Sequence, residues 1–267
     1  MSPRLILPFV AAACLAGSAS AKIVTKTVSY EDAGTKLQGY LAYDDDKIPA
    51  GRGAPGVLVI PEWWGLNEHA RGRAEMLAQL GYVAFAADMY GNGESTSDAN
   101  RAKELSGQFY GKPLMAERAQ AGLDTLLATG MVDAKRVAAI GFCFGGSTVQ
   151  ALAYSGAPLA GIVSFHGGLI PVPADAATRN KAKILICHGA LDPFASKDAI
   201  DAFTKSMNDG KFDYQFISYS GAMHAFTNPK ADEMAAANHL KGLAYNAAAD
   251  RRSWALMQAF FREIFGS

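Results

Sequence analysis

The sequence predicts an α/β fold, a mostly parallel doubly wound sheet with antiparallel N-terminal strands. Three observations predict it. Short apolar runs alternate with helical patterns from Gly56 to the C-terminus. The clearest of these runs, Gly56–Ile60, is continuous rather than alternating, as in strands covered on both faces. Polar side chains follow several runs, at the carboxyl ends where open α/β sheets gather their functional groups.

The elements follow in order. Ile23–Tyr30 and Leu37–Tyr43 are β-rich runs joined through Ala33-Gly34, which predicts an antiparallel hairpin. Gly56–Ile60 predicts a buried strand, followed by the loop Pro61-Glu62-Trp63-Trp64-Gly65. Asn67 is placed to cap a helix that runs to Leu80, with Ala74, Leu77 and Ala78 inward and Gly81 as its stop. Tyr82–Ala87 is the next strand; Arg101–Gln108 and Leu114–Thr129 read as helices around a polar loop. The apolar run Val137–Phe142 precedes a helix over Gly146–Tyr154. Leu159–Phe165, Ile184–Cys187 and Asp213–Tyr219 are further strands, with a helix over Ser196–Met207. In the last helix, Asp250–Phe265, Trp254, Met257, Phe261 and Ile264 recur at helical spacing and read as core.

The chain has 267 residues, half of them hydrophobic, which suits one sizeable domain with a filled core. Lys+Arg and Asp+Glu number 25 each, so no basic field exists to hold nucleic acid or an anionic membrane surface. Residues 1–21 have a basic start, an apolar run from Leu5 to Gly17 and the small-residue stretch Ala19-Ser20-Ala21. That pattern predicts a signal peptide cut before Lys22 and a secreted or periplasmic domain over 22–267. The run is shorter than the roughly 20 residues a spanning helix needs, so no membrane association is expected after cleavage. A monomer without cofactor or metal is expected.

The stretch Gly141-Phe142-Cys143-Phe144-Gly145-Gly146 organises the rest. A strand entering Gly-x-Cys-x-Gly and leaving as a helix is the pattern of a nucleophile elbow, with cysteine in the place of the commoner serine. The turn is sharp, so residues two before and two after the apex must lack side chains, and Gly141 and Gly145 do. The helix N-terminus beneath Cys143 favours a thiolate. The motif is short, and cysteines are common in cores, so its context matters. In α/β-hydrolases the chain order is nucleophile, acid, histidine. Cys143, Asp192 and His224 follow that order, each after a different strand. His166 precedes the acid; His188 is expected to bond backbone at a strand end; His69 and His239 are expected at the surface. Asp198 falls within a helix and Asp213 opens a strand, so neither competes with Asp192. Asp88 is expected to hold its own loop together. An oxyanion hole needs two backbone N–H groups; Phe144 and Trp63 are the expected donors. Trp64 and Tyr90 are expected to line an apolar, aromatic substrate mouth.

Jointly, Ile60-Pro-Glu62-Trp-Trp-Gly65, Ala87-Asp-Met-Tyr90, Gly141–Gly146, His188-Gly-Ala-Leu-Asp192 and His224-Ala-Phe226 resemble the dienelactone hydrolase family, the carboxymethylenebutenolidase-like proteins. The resemblance implies a cofactor-independent hydrolase of small esters or lactones working through a cysteine acyl-enzyme. It also implies that Glu62 contacts the Cys143 thiol in the resting state and yields it to His224 when substrate binds. A carboxylate there would oppose thiolate formation; the alternative is an ion pair of Glu62 with Arg71 or Arg73. Family members that act on dienelactone hold its carboxylate with arginines, one shortly after the histidine. Here Ala-Phe-Thr-Asn228 follows His224, and only Lys103 or Arg101 could replace the second. The expectation is therefore a neutral ester or lactone. Two other readings are open: a non-catalytic binding protein on a hydrolase scaffold, and a thiol redox protein using Cys143 and Cys187, the latter weakened by the absence of Cys-x-x-Cys.

Overall fold

The computed structural model describes residues 22–49 and 51–266; the expected signal peptide lies outside the described residues. One eight-stranded sheet forms the frame. Its strands are β1 (Ile23–Asp32), β2 (Thr35–Asp44), β3 (Ala54–Ile60), β4 (Val83–Ala86), β5 (Val132–Phe142), β6 (Gly161–Phe165), β7 (Lys183–Gly189) and β8 (Tyr214–Tyr219). The spatial order is β1-β2-β4-β3-β5-β6-β7-β8. The β1–β2 and β2–β4 pairs are antiparallel and every later pair is parallel, as expected. The hairpin turns at Ala33 and Gly34, both with positive φ.

The helices are α1 (Glu68–Gln79), α2 (Ala99–Gly107), α3 (Leu114–Ala128), α4 (Phe144–Ser155), α5 (Ala176–Arg179), α6 (Lys197–Asp209), α7 (Ala231–Ala237) and α8 (Ala247–Phe265). Strand alternation divides the core in two. Leu58, Ile60, Phe85 and Ala139 face Leu123, Leu126 and Leu152 of α3 and α4. Val57, Val59, Ala84 and Ile140 face Leu77 of α1 and Met257 and Phe261 of α8. The Asn67 side chain caps α1 by accepting from the N–H groups of His69 and Ala70. In the last helix Trp254, Met257 and Phe261 are buried as the spacing predicts, joined by Phe260 and Phe265.

Three elements depart from the sequence reading. β5 begins at Val132, five residues before the apolar run, because Val132 pairs with Ala54 across a register shift, while Ala134 and Lys135 are exposed. The short helices α5 and α7 carry too few large apolar residues to show a periodic pattern.

Candidate active site

Cys143 sits where β5 ends and α4 begins, with φ 53° and ψ −115°. A non-glycine residue in that region costs on the order of 1–3 kcal/mol and needs surroundings that enforce it. The glycines supply them. A Cβ at Gly141 would run into the Gly145 carbonyl, and one at Gly145 into the backbone of Ile60 and Pro61. The elbow is thus a place where strand, helix and the next strand's end touch through backbone alone. Phe144 opens α4, so its N–H belongs to the first turn, which has no intrahelical partners. The thiol is half-buried and free, and Cys187 is also free, buried 44 residues further on, with burial pushing its thiol up to about 12.

The Asp192 loop follows β7 and the His224 loop follows β8. His224 Nδ1 donates to Asp192 Oδ2 at 2.8 Å, and Asp192 Oδ1 accepts from the Phe194 N–H at 2.9 Å. Burial opposes charge on Asp192, yet these contacts, the His224 bond foremost, leave its carboxyl below the usual range. Burial would also lower the His224 pKa. The charge of Cys143, hydrogen bonds to Asp192 and Cys143, and the Asp192 charge together raise it instead. With Nδ1 committed to Asp192, Nε2 is the nitrogen left for the thiol. A thiol, an imidazole and a carboxylate in series can store and move one proton. Phe194 packs edge-on against His224 with centroids 5.0 Å apart.

Glu62 is buried but departs from the expected contact. Its Oε2 accepts from Asn228 Nδ2 at 2.6 Å and lies 3.7 Å from His69 Nδ1; its Oε1 has no hydrogen-bond partner. Among the described contacts no hydrogen bond joins Glu62 to the Cys143 thiol. The cause is Asn228, which draws the carboxylate toward the His224 loop. The alternative ion pair is not formed either: Arg73 reaches Asp250 at 2.7 Å and the Thr227 carbonyl at 2.5 Å, while Arg71 lies over the Tyr40 ring. Desolvation pushes the Glu62 carboxyl up to about 7.

The two indoles after β3 separate. Trp63 is half-buried and lines a cavity of about 430 Å³ with Cys143, Lys103, Ser106, Gly107 and Tyr110. Trp64, expected at the mouth, is buried and 2% exposed, packed edge-on against Trp63 at 4.8 Å. Tyr90 stands behind the cavity, where its hydroxyl donates to the Trp63 carbonyl at 2.7 Å and fixes the loop that carries the Trp63 N–H. Asp88 holds that neighbourhood as expected, accepting from the N–H groups of Gln38, Tyr90, Gly91 and Gly93.

The other histidines complete the site's surroundings. His69, expected at the surface, has a side chain only 8% exposed, because α1 turns it toward Glu62. Burial, and then Arg73, push its pKa down to about 3. His188 Nδ1 is buried without a partner, contrary to the expected backbone bond. His166 is fully buried against the elbow. Its place after β6 is the one positional signal the sequence offers for it, and chain order keeps it out of the predicted triad. Among the described residues no cluster of metal-binding side chains occurs, and no helix is long and apolar enough to cross a membrane.

The profile of the dienelactone hydrolase family matches residues 37–265. The chain belongs to the dienelactone hydrolase family. It is a carboxymethylenebutenolidase-like hydrolase with the α/β-hydrolase fold. A solved dienelactone hydrolase-like promiscuous phosphotriesterase from metagenomic libraries superposes on this hydrolase with a TM-score of 0.85. The two are 41% identical, over 91% of this chain and 98% of that one. "Protein usf" of Aquifex pyrophilus is 28% identical over 88% of this chain and 97% of its own length. A Bradyrhizobium protein named "Probable 2-oxo-3-(5-oxofuran-2-ylidene)propanoate lactonase" is 29% identical over 76% of the hydrolase and 86% of its own length.

Proposed function

We propose that this hydrolase cleaves small carboxylic esters and lactones by acyl transfer to Cys143. The observation that carries the reading is the buried His224, bonded to Asp192 at 2.8 Å and charged more readily because Cys143 faces it. His224 takes the thiol proton, the thiolate attacks the carbonyl carbon, and the tetrahedral oxyanion is met by the N–H groups of Phe144 and Trp63. His224 then gives its proton to the leaving alkoxide. In the second half it takes a proton from water, which attacks the thioester and releases the acid and the thiol. Asp192 holds the imidazole in the Nδ1–H tautomer and steadies its charged form. Glu62 acts from beside the Asn228 contact, setting the charge next to His224 rather than holding the sulfur.

The cavity of Trp63, Tyr110 and Ser106 beside the sulfur suits a flat, mostly apolar substrate. Lys103 is the charged group that lines it, and it gives a lactone bearing a carboxylate a place to dock. The similarity to the Bradyrhizobium lactonase supports lactones, and that to the phosphotriesterase adds an aryl phosphotriester to the panel worth testing. Residues 1–21 are proposed to direct export, placing the hydrolase in the periplasm or outside the cell.

An aryl ester, lactone and phosphotriester panel run on wild type and Cys143→Ala tests the reading. Wild type is expected to turn over at least one ester or lactone. Cys143→Ala is expected to lose at least about 10³-fold in kcat, by analogy with removal of a triad nucleophile, with its far-UV circular dichroism unchanged. Wild-type rates in the alanine variant would end the proposal.

A further inference from the structure

We infer that His166 is a positioning residue: a neutral imidazole, held in one tautomer, that ties the elbow carrying Cys143 to the loop carrying His224. The inference rests on the reading of Cys143 and His224 as nucleophile and base, and adds a third histidine that touches no substrate.

The bonds define the ring's state. The Cys143 N–H is shared between the Phe165 carbonyl at 3.0 Å and His166 Nδ1 at 3.1 Å. A backbone amide only donates, so Nδ1 must present a lone pair. Nε2 then carries the proton and donates to Thr227 Oγ1 at 2.7 Å. Thr227 lies three residues after His224 in the same loop. Its carbonyl in turn accepts from Arg73 Nη2 of α1, and Arg73 is anchored on Asp250 of α8. A continuous strut therefore runs from the nucleophile's own amide, through one imidazole, to the loop of the base and on to two helices.

The surroundings keep the ring rigid and uncharged. His166 has φ 40°, a conformation few side chains adopt, and its N–H is fixed to the Cys187 carbonyl at 2.8 Å. Its ring packs edge-on against His224 with centroids 5.3 Å apart, and against Phe226 at 5.1 Å. Burial, and then the positive charges of His224 and Arg73, hold its pKa well below the ordinary value. A proton on Nδ1 would break the bond to the elbow and set a second cation against His224. The same geometry thus requires a neutral ring and places its lone pair where the elbow needs it.

Nitrogen-15 NMR of histidine-labelled enzyme reads the tautomer directly. His166 is expected to show a protonated Nε2 and a bare Nδ1, unchanged from pH 5 to 9. A ring that titrates in that range, or that carries its proton on Nδ1, overturns the inference. Thr227→Val removes the acceptor with little change in shape and is gentler on folding than any change at His166. It is expected to lower kcat by about 10- to 100-fold, the scale of a small misplacement of reacting groups, with KM within about twofold. Thr227→Ser should recover kcat to within about threefold. Wild-type kcat in Thr227→Val, or a loss that Thr227→Ser does not recover, would overturn it. These outcomes are separate from the Cys143→Ala result, which judges the nucleophile itself.

Discussion

Glu62 is 2% exposed, its Oε1 has no partner, and burial raises its carboxyl from 4.5 to about 7. The folded protein therefore holds this proton more tightly than the unfolded chain does. Stability falls as pH rises between those two values and is level above the upper one. Glu62→Gln keeps the shape and an acceptor for Asn228 but never ionises. It should be more stable than wild type above pH 7, by on the order of 3 kcal/mol from the size of the shift, and equal to it near pH 4. Urea melts of both proteins across pH 4 to 9 check this; parallel curves would remove Glu62 as the source. The contact of His224 with Asp192 was legible in the sequence because chain order and strand-end position constrain the two together. The contact of Glu62 was not, because Asn228 reaches it across 166 residues. Nor could two adjacent tryptophans be told apart, since the turn that buries Trp64 and leaves Trp63 at the cavity is set by tertiary packing.

At the scale of the element, the β5–α4 elbow shows why two glycines flank the apex. Gly145 lies against the Ile60 and Pro61 carbonyls of the neighbouring strand end, which are backbone and cannot swing aside. Gly145→Ala should cost about 1–3 kcal/mol as an overpacked contact. That corresponds to a melting temperature lower by roughly 2–12 °C for a chain of this size. It should also displace the Phe144 N–H and lower kcat. Calorimetry with ester kinetics checks both, and an unchanged melting temperature would contradict the close approach. Element order was readable because Gly and Asn punctuate the apolar runs, as at Asn67 and Gly81 around α1. Element ends were less so. In β5 only Val132 pairs with β3 before the register resumes at Val137, and the exposed Ala134 and Lys135 between them leave no apolar run for hydropathy to read.

For the molecule as a whole, 25 basic and 25 acidic side chains leave no net field to steer a charged substrate over distance. Any preference for an anion must then come from Lys103 at the cavity itself. For a carboxylate-bearing ester, kcat/KM should fall by no more than about threefold between 20 and 300 mM salt, since only a short-range contact is being screened. Lys103→Met should remove the preference for that ester over a neutral analogue while leaving the neutral one within about twofold. A steep salt dependence that survives in Lys103→Met would place the field elsewhere. The fold class itself was legible because covered strands and amphipathic helices alternate along the chain, and both halves of the core follow from that alternation.

The sheet order β3-β5-β6-β7-β8 puts the loops bearing Glu62, Cys143, His166, Asp192 and His224 on strands that are spatial neighbours. The chain between β4 and α3 bears Tyr90, Lys103, Ser106 and Tyr110, and supplies none of those five. On the proposed reading, bond-breaking falls to the strand-end loops, while the cavity wall, Trp63 and Cys143 apart, comes from this one stretch. A segment exchange between relatives over that one stretch could retune which molecules enter without disturbing the machinery that cuts them.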